Sequence, residues 1–307
     1  MSESIELLRG KIARAGTLGS VVRTMKTLAA VNIRQYEEAF RALGDYNHAI
    51  ELGLSACLHL TENGRSAFRD EQRKDVLTIA IVFGSDQGLV GQFNDLVAET
   101  FQREHANIPG AIAVLPVGER VQSRLEDAGV RAEKLFALPN SVSAITPLVG
   151  DLLTEVERLR EKSAATELRL FYNRPVSGKT YRPVSTRLLP FDVKWANEIA
   201  SRAGKWPTSS KPEIIDGVKS VQWALLREYL FVSLFRACAE SLAAENASRL
   251  SAMQRAEKNI DDMLEELTRR YNERRQAGID EELFDVVSGF QSLGENFSKN
   301  AQAPDVL

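Results

Sequence analysis

Gly84-Ser85-Asp86-Gln87-Gly88-Leu89-Val90-Gly91 is the stretch of this 307-residue chain that most invites a chemical reading. It follows an apolar run and precedes a helical pattern, the place where a loop that cradles phosphate would sit. Its G-x-x-x-G-x-x-G spacing departs from the dinucleotide fingerprint, so a cofactor site ranks behind a plain structural turn. Gly178-Lys179-Thr180 looks like the end of a P-loop, but Asn173 stands where the first glycine belongs and apparent strands flank it on both sides. Coincidence is the better reading there. His48, His59 and His105 are scattered, and no Ser–His–Asp set or carboxylate pair presents itself, so no catalytic residue is expected. Cys57 and Cys238 stand alone and make no metal-ligand pattern. The expectation is therefore no metal, no cofactor and two packed thiols.

The elements that hold these residues follow from proline. Nine of the ten prolines lie between Pro109 and Pro212, with none earlier and only Pro304 later. Proline breaks helix interiors, so the two ends can be long helices and the middle cannot. Stepping alternately by three and four from Ile5 gives Leu8, Ile12, Ala15, Gly19, Val22, Lys26, Ala29, Ile33, Tyr36, Phe40, Leu43, Asn47, Ile50, Leu54 and Cys57. All but Gly19, Lys26 and Asn47 are apolar or aromatic, a seam at the coiled-coil period. A second seam runs through Val218, Val221, Leu225, Val232, Phe235, Ala239, Leu242, Met253, Ala256, Ile260, Met263 and Leu267, broken by Glu228, Asn246 and Arg249. After a slip in phase it resumes at Ile279, Leu283, Val286, Phe290 and Leu293.

Helices over about residues 3–60 and 214–293, running antiparallel, pair positions whose numbers sum to roughly 274. That rule sets Lys26 near Asn246 and Arg249, so the polar exceptions meet at one level. It also leaves everything beyond about residue 275 without a partner, although Ile279, Leu283, Val286, Val287, Phe290 and Leu293 are apolar. Such a surface needs an enclosure, a folded-back helix or a second copy of the chain. Gly10, Gly16 and Gly19 either admit a close backbone or soften that end of the helix. The excess of Arg9, Lys11, Arg14, Arg23, Lys26 and Arg34 over Glu3 and Glu6 is either a solvated face or a seat for an acidic protein partner.

Between the arms, strands alternate with helices. Val76–Phe83, Ala111–Val117, Glu167–Tyr172 and Tyr181–Leu189 read as strands; Phe93–His105, Glu119–Ala128 and Ser141–Lys162 read as helices. Strands separated by helices imply a mostly parallel, doubly wound sheet with one hairpin at the side. The fold class is thus α/β: a long antiparallel coiled coil of the terminal helices plus a central Rossmann-like domain. The segments are 1–62 for the first helix, 75–195 for the central domain, 212–293 for the long C-terminal helix and 294–307 for an extension. A net charge of −3 excludes an argument for nucleic acid from overall charge. The start lacks a basic, apolar leader, so no signal peptide is expected. No apolar run reaches the ~18–20 residues of a membrane span, so any membrane role is peripheral, with no direct insertion.

Three blocks resemble a known family, the gamma subunit of F-type ATP synthases, which forms the rotating central stalk. Val21-Val-Arg-Thr-Met-Lys26-Thr-Leu-Ala-Ala30 resembles that family's A-M-K-x-V-A-A signature. Ser85-Asp86-Gln87-Gly88-Leu89-Val90-Gly91-Gln92-Phe93-Asn94 is similar to its S-D-R-G-L-C-G-x-F-N. Glu240 to Met253, continuing through Glu266–Ala277 to Val286-Val-Ser-Gly289, resembles its most specific stretch. The resemblance implies a non-catalytic subunit inside a ring of alpha and beta subunits. Its foot would contact the epsilon subunit and the membrane ring of c subunits, as a peripheral complex on the cytoplasmic side of a bacterial inner membrane. It further implies that Met25, Lys26, Arg249 and Gln276 touch the beta subunits as coupling contacts. Ile279, Leu283, Val286, Val287 and Phe290 would lie in the bearing, while Ser85, Asp86, Gly88, Gly91, Phe93 and Asn94 form the family's loop. Gln87, Val90, Asn32 and Asp280 depart from the usual residues, as does the segment Lys205–Pro212, which points to a divergent or alternate copy. The competing reading is an α/β nucleotide-binding enzyme whose coiled-coil arm dimerises.

Overall fold

The computed structural model describes residues 4–60, 76–106, 108, 110–161, 163, 165–176, 179–191, 193–203, 206, 208, 210, 212–215 and 217–300. Its elements are α1 (Ile5–Leu60), β1 (Val76–Phe83), α2 (Phe93–His105), β2 (Ile112–Val117), α3 (Glu119–Asp127), α4 (Ile145–Arg160), β3 (Ala165–Val176), β4 (Lys179–Leu189), α5 (Val193–Ala203) and α6 (Val218–Asn300). The chain divides into two compact units, one of residues 26–252 and one of the residues up to 25 with those from 253 onward.

In the larger unit the sheet order is β2-β1-β3-β4, with β1 parallel to both β2 and β3, and β4 antiparallel to β3. The central strand β1 is apolar but for Thr78, because both its faces are covered. Ile79, Ile81 and Phe83 join a core with α4 and with Tyr36, Leu234, Cys238 and Leu242 of the terminal helices. Ala80 and Val82 face Val97, Ala98 and Phe101 of α2 and Val121 and Leu125 of α3. One face of the doubly wound sheet is thus closed by the paired α1 and α6. Of the three strand prolines, Pro116 and Pro183 lie in β2 and β4, the edge strands, where a missing N–H costs no ladder bond, and Pro175 lies near the end of β3 at a register shift in its pairing with β4.

Every position of the N-terminal seam from Ile5 to Cys57 is buried or half-buried. Within the larger unit Tyr46 Oη donates to Glu228 (2.9 Å), the pairing that the spacing rule gives, and Asn32 Nδ2 donates to Asn246 Oδ1 (3.3 Å). The rule places residue 242 opposite Asn32, so the true partner stands one helical turn further along. Asn246 thus meets Asn32, and Arg249 pairs with Glu245 on its own helix. The sequence reading passed over α5. Its Trp195, Ala196 and Ile199 pack on Ile50, Leu54 and Leu58 of α1 and on Leu226 and Tyr229 of α6, closing a second core.

In the smaller unit a Cβ on Gly19 would meet Ile260 Cγ2 at 3.4 Å, an ordinary contact distance, whereas Gly10 and Gly16 face open space. Leu8, Ala15 and Val22 are buried, as are Met253 and Ile260. Met263, expected in the seam, is 55% exposed instead. Helix α6 continues to Asn300, beyond the expected limit at 293; residues 301–307 of the extension lie outside the described residues.

Candidate functional site

The loop after β1 is built for its own domain. Ser85 is fully buried; its N–H donates to Asn94 Oδ1 (2.9 Å), and its hydroxyl donates to the Gln87 carbonyl (2.9 Å) while accepting from Asn94 Nδ2 (2.8 Å). Asp86 accepts the backbone N–H of Glu119 on Oδ1 and of Leu138 on Oδ2, both at 3.0 Å. A carboxylate of the chain itself therefore occupies the N-terminal end of α3. Gly84 and Gly118 allow the close approach: a Cβ on Gly84 would lie 2.3 Å from Val121, and Gly118 has φ +114 with Ser85 O 2.8 Å from where a Cβ would be. Beside Gly88 and Gly91 a shallow cleft reaches Arg120 and Arg124. Arg124 is already paired with Asp95 (2.7 Å) and Asp127 (3.7 Å), so its charge is compensated.

The loop instead grips α6. Val90, Phe93 and Ala244 form one apolar cluster with Tyr181 against it. Ser248 Oγ donates to the Val90 carbonyl (2.5 Å), and Asn173 Nδ2 donates to the Phe93 carbonyl (2.9 Å). A second joint lies beside it. Glu240, buried on α6, accepts Arg174 Nε of β3 and Arg236 Nε of α6, both at 2.8 Å, and Arg174 also donates to the Tyr172 hydroxyl. Sequence reading missed these contacts, because Glu240 and Ser248 are ordinary helix residues until the strand register fixes what faces them.

Of the four expected coupling residues, Met25 and Lys26 are half-buried on α1, and Gln276 is exposed on α6. Only 14% of the Arg249 side chain is exposed, and its Nη2 donates to Glu245 (2.6 Å) one turn earlier. Glu245 is 3% exposed, and burial drives its carboxyl above the usual range, against the pull of Arg249 and reinforced by the charge of Asp86. Tyr36, buried close to the same pair, has its hydroxyl pushed up to about 12, first by burial and then by Glu245.

On α6 of the smaller unit, Ile279, Leu283, Val286 and Val287 are all exposed, and so is Phe284 at 71%, which the seam reading left out. Phe290 lies outside the side chains described. Among the described residues no cluster of His, Cys, Asp or Glu is grouped as metal ligands would be, and no helix is long and apolar enough to cross a membrane.

A family model described as ATP synthase matches residues 4–293. The ATP synthase gamma chain of Granulibacter bethesdensis is 27% identical over 300 residues, covering 94% of this chain and 99% of that one. The gamma chain of Parvibaculum lavamentivorans is 28% identical over 298 residues, with 94% and 99% covered. Among solved structures, the mitochondrial ATP synthase of Euglena gracilis (OSCP/F1/c-ring) contains a chain that superposes with a TM-score of 0.61 at 16% identity over 99% of both chains. The central stalk/c-ring structure of the Tetrahymena thermophila enzyme contains one at 0.55 and 20%, covering 77% of this chain and 99% of that one. Matched over nearly its whole length, the chain belongs to the family of ATP synthase gamma chains.

Proposed function

We propose that this chain is the rotating central-stalk subunit of a bacterial F-type ATP synthase, carrying ion-driven rotation to catalytic sites that belong to surrounding alpha and beta subunits. The observation that carries the reading is the set of exposed apolar side chains Ile279, Leu283, Phe284, Val286 and Val287 on a helix that has outrun its partner, in a chain whose family match extends through residue 293. A single helix exposing this surface needs an enclosure, and a ring of alpha and beta subunits supplies one. Because the shaft is asymmetric and the ring nearly threefold, each orientation favours a different conformation at each site. By linkage the effect is reciprocal, so ATP hydrolysis turns the shaft.

In this reading Met25, Lys26, Arg249 and Gln276 are coupling contacts to the beta subunits, Ile279, Leu283, Val286, Val287 and Phe290 run in the bearing, and the α/β domain is the foot toward the epsilon subunit and the c ring. The subunit itself is non-catalytic and peripheral, on the cytoplasmic side of the inner membrane. The test is co-expression with alpha and beta subunits of the same operon or genome. The expected product is a complex with one copy of this chain whose ATPase depends on residues beyond Leu267. Recovery of a homodimer that binds nucleotide near Gly84–Gly91 and ignores the ring would replace this reading with the enzyme one.

A further inference from the structure

Arg249 is an arginine held inward with one buried donor unused. A guanidinium has five N–H donors in a fixed fork; Nη2 is spent on Glu245, and Nε is buried without a hydrogen-bond partner. An unmade buried donor is unfavourable, so the inward position is held chiefly by the Glu245 charge. Glu245 in turn has Arg249 as its one ion-pair partner among the described residues. The other titratable groups acting on this cluster oppose or ignore its charge: Asp86 from the loop after β1, the Tyr36 hydroxyl from α1 and the buried Cys238 thiol from α6 itself. The pair is thus a carboxylate with one reason to stay charged and a cation with one reason to stay inside.

We propose that Glu245 and Arg249 form a latch in the shaft: Glu245 withholds the guanidinium from an acidic side chain of the enclosing subunits, and exchange of Arg249 between the two carboxylates sets how long the shaft dwells at one angle. Glu245 is then a positioning residue that acts through Arg249. The proposal rests on the stalk reading and on Arg249 as a ring contact, and goes beyond both by naming what regulates that contact. A carboxylate is the partner that suits the chemistry, because the planar fork pairs with it through two parallel bonds and would satisfy the idle Nε.

The latch also has a direction in pH. Protonating Glu245 removes the competitor, frees Arg249 for the ring and lengthens the dwell, so lowering the pH makes the wild type behave like Glu245→Gln.

The test uses the assembled complex and compares Glu245→Gln, Arg249→Ala and the double variant for ATP turnover at saturating ATP and for coupling to ion movement, across pH. Glu245→Gln should turn over about five- to tenfold more slowly, the double variant should match Arg249→Ala alone, and the wild-type pH step should vanish in both single variants. Should Glu245→Gln assemble poorly, Glu245→Asp keeps the charge but draws it back by one methylene. It should slow turnover partially and retain the pH step; an Asp variant equal to wild type overturns the latch. Multiplicative effects of the two single variants in the double variant also overturn it, leaving Glu245 a structural residue. If Arg249→Ala alone matches wild type in both turnover and coupling, the ring-contact reading itself fails, whatever Glu245 does.

Discussion

Replacing Glu240 with alanine should weaken the larger unit by about 2–3 kcal/mol. Breaking one side of a buried ion pair costs about 3–5 kcal/mol, because the charge left behind is uncompensated. Here the charges left behind are Arg174 and Arg236, whose side chains are 37% and 51% exposed, so water repays part of that cost and the lower range applies. The acidic side chain itself is only 4% exposed, which keeps the figure above that of a surface pair. Urea unfolding followed by Trp195 fluorescence reads this directly, since Trp195 sits in the core with Phe191 and Tyr229 and reports on the docking of α5 against the terminal helices. In a double-mutant cycle with Arg174→Ala the coupling should be about 1–2 kcal/mol. A loss below about 0.5 kcal/mol, within the range of ordinary surface changes, would refute the claim that this joint holds α6 to the sheet.

Other outcomes follow from the same geometry. Phe101→Ala, at a side chain with no exposure that packs on Phe171 at 5.2 Å, should cost about 3–5 kcal/mol by denaturant midpoint. Tyr36 bears on alkaline stability: its hydroxyl titrates at about 12 when folded and at 10.0 ordinarily, so unfolding is favoured as the pH rises through that window. Tyr36→Phe should flatten the loss of stability between pH 10 and 12, and an unchanged slope would show that another group controls it. Alanine at both Lys26 and Arg249 should leave ring assembly intact while lowering the ions moved per ATP turned over; full coupling in that variant would remove both from the contact set.

The seam that carried the coiled-coil reading was legible because a 3.5-residue period leaves a mark at every turn, and its burial from Ile5 to Cys57 follows it position by position. The strand order was legible in class but not in detail: alternation of elements implies a parallel sheet, while the closure of one face by Tyr36 and Leu234–Ala243 depends on tertiary docking with no local signature. Helix α5 was overlooked although Trp195 and Ile199 stand four apart, since eleven residues between prolines give too few turns to display a period. Register was off by one turn at Asn32 because a spacing sum assumes equal rise and a fixed crossing point. The glycine-rich loop misleads for a physical reason. The same small residues that let phosphate approach a helix end also let Asp86 and Ser85 do so, and only the hydrogen bonds tell the two apart.

Rotation itself is the most direct test. Cys57 and Cys238 are buried, so a thiol placed at exposed Asn140 can be labelled alone and used to fix a bead to the α/β domain while the alpha/beta ring is held to a surface. With ATP supplied, the account predicts stepwise rotation in one direction that stops when ATP is withdrawn. A complex that hydrolyses ATP at full rate beneath a motionless bead would contradict it.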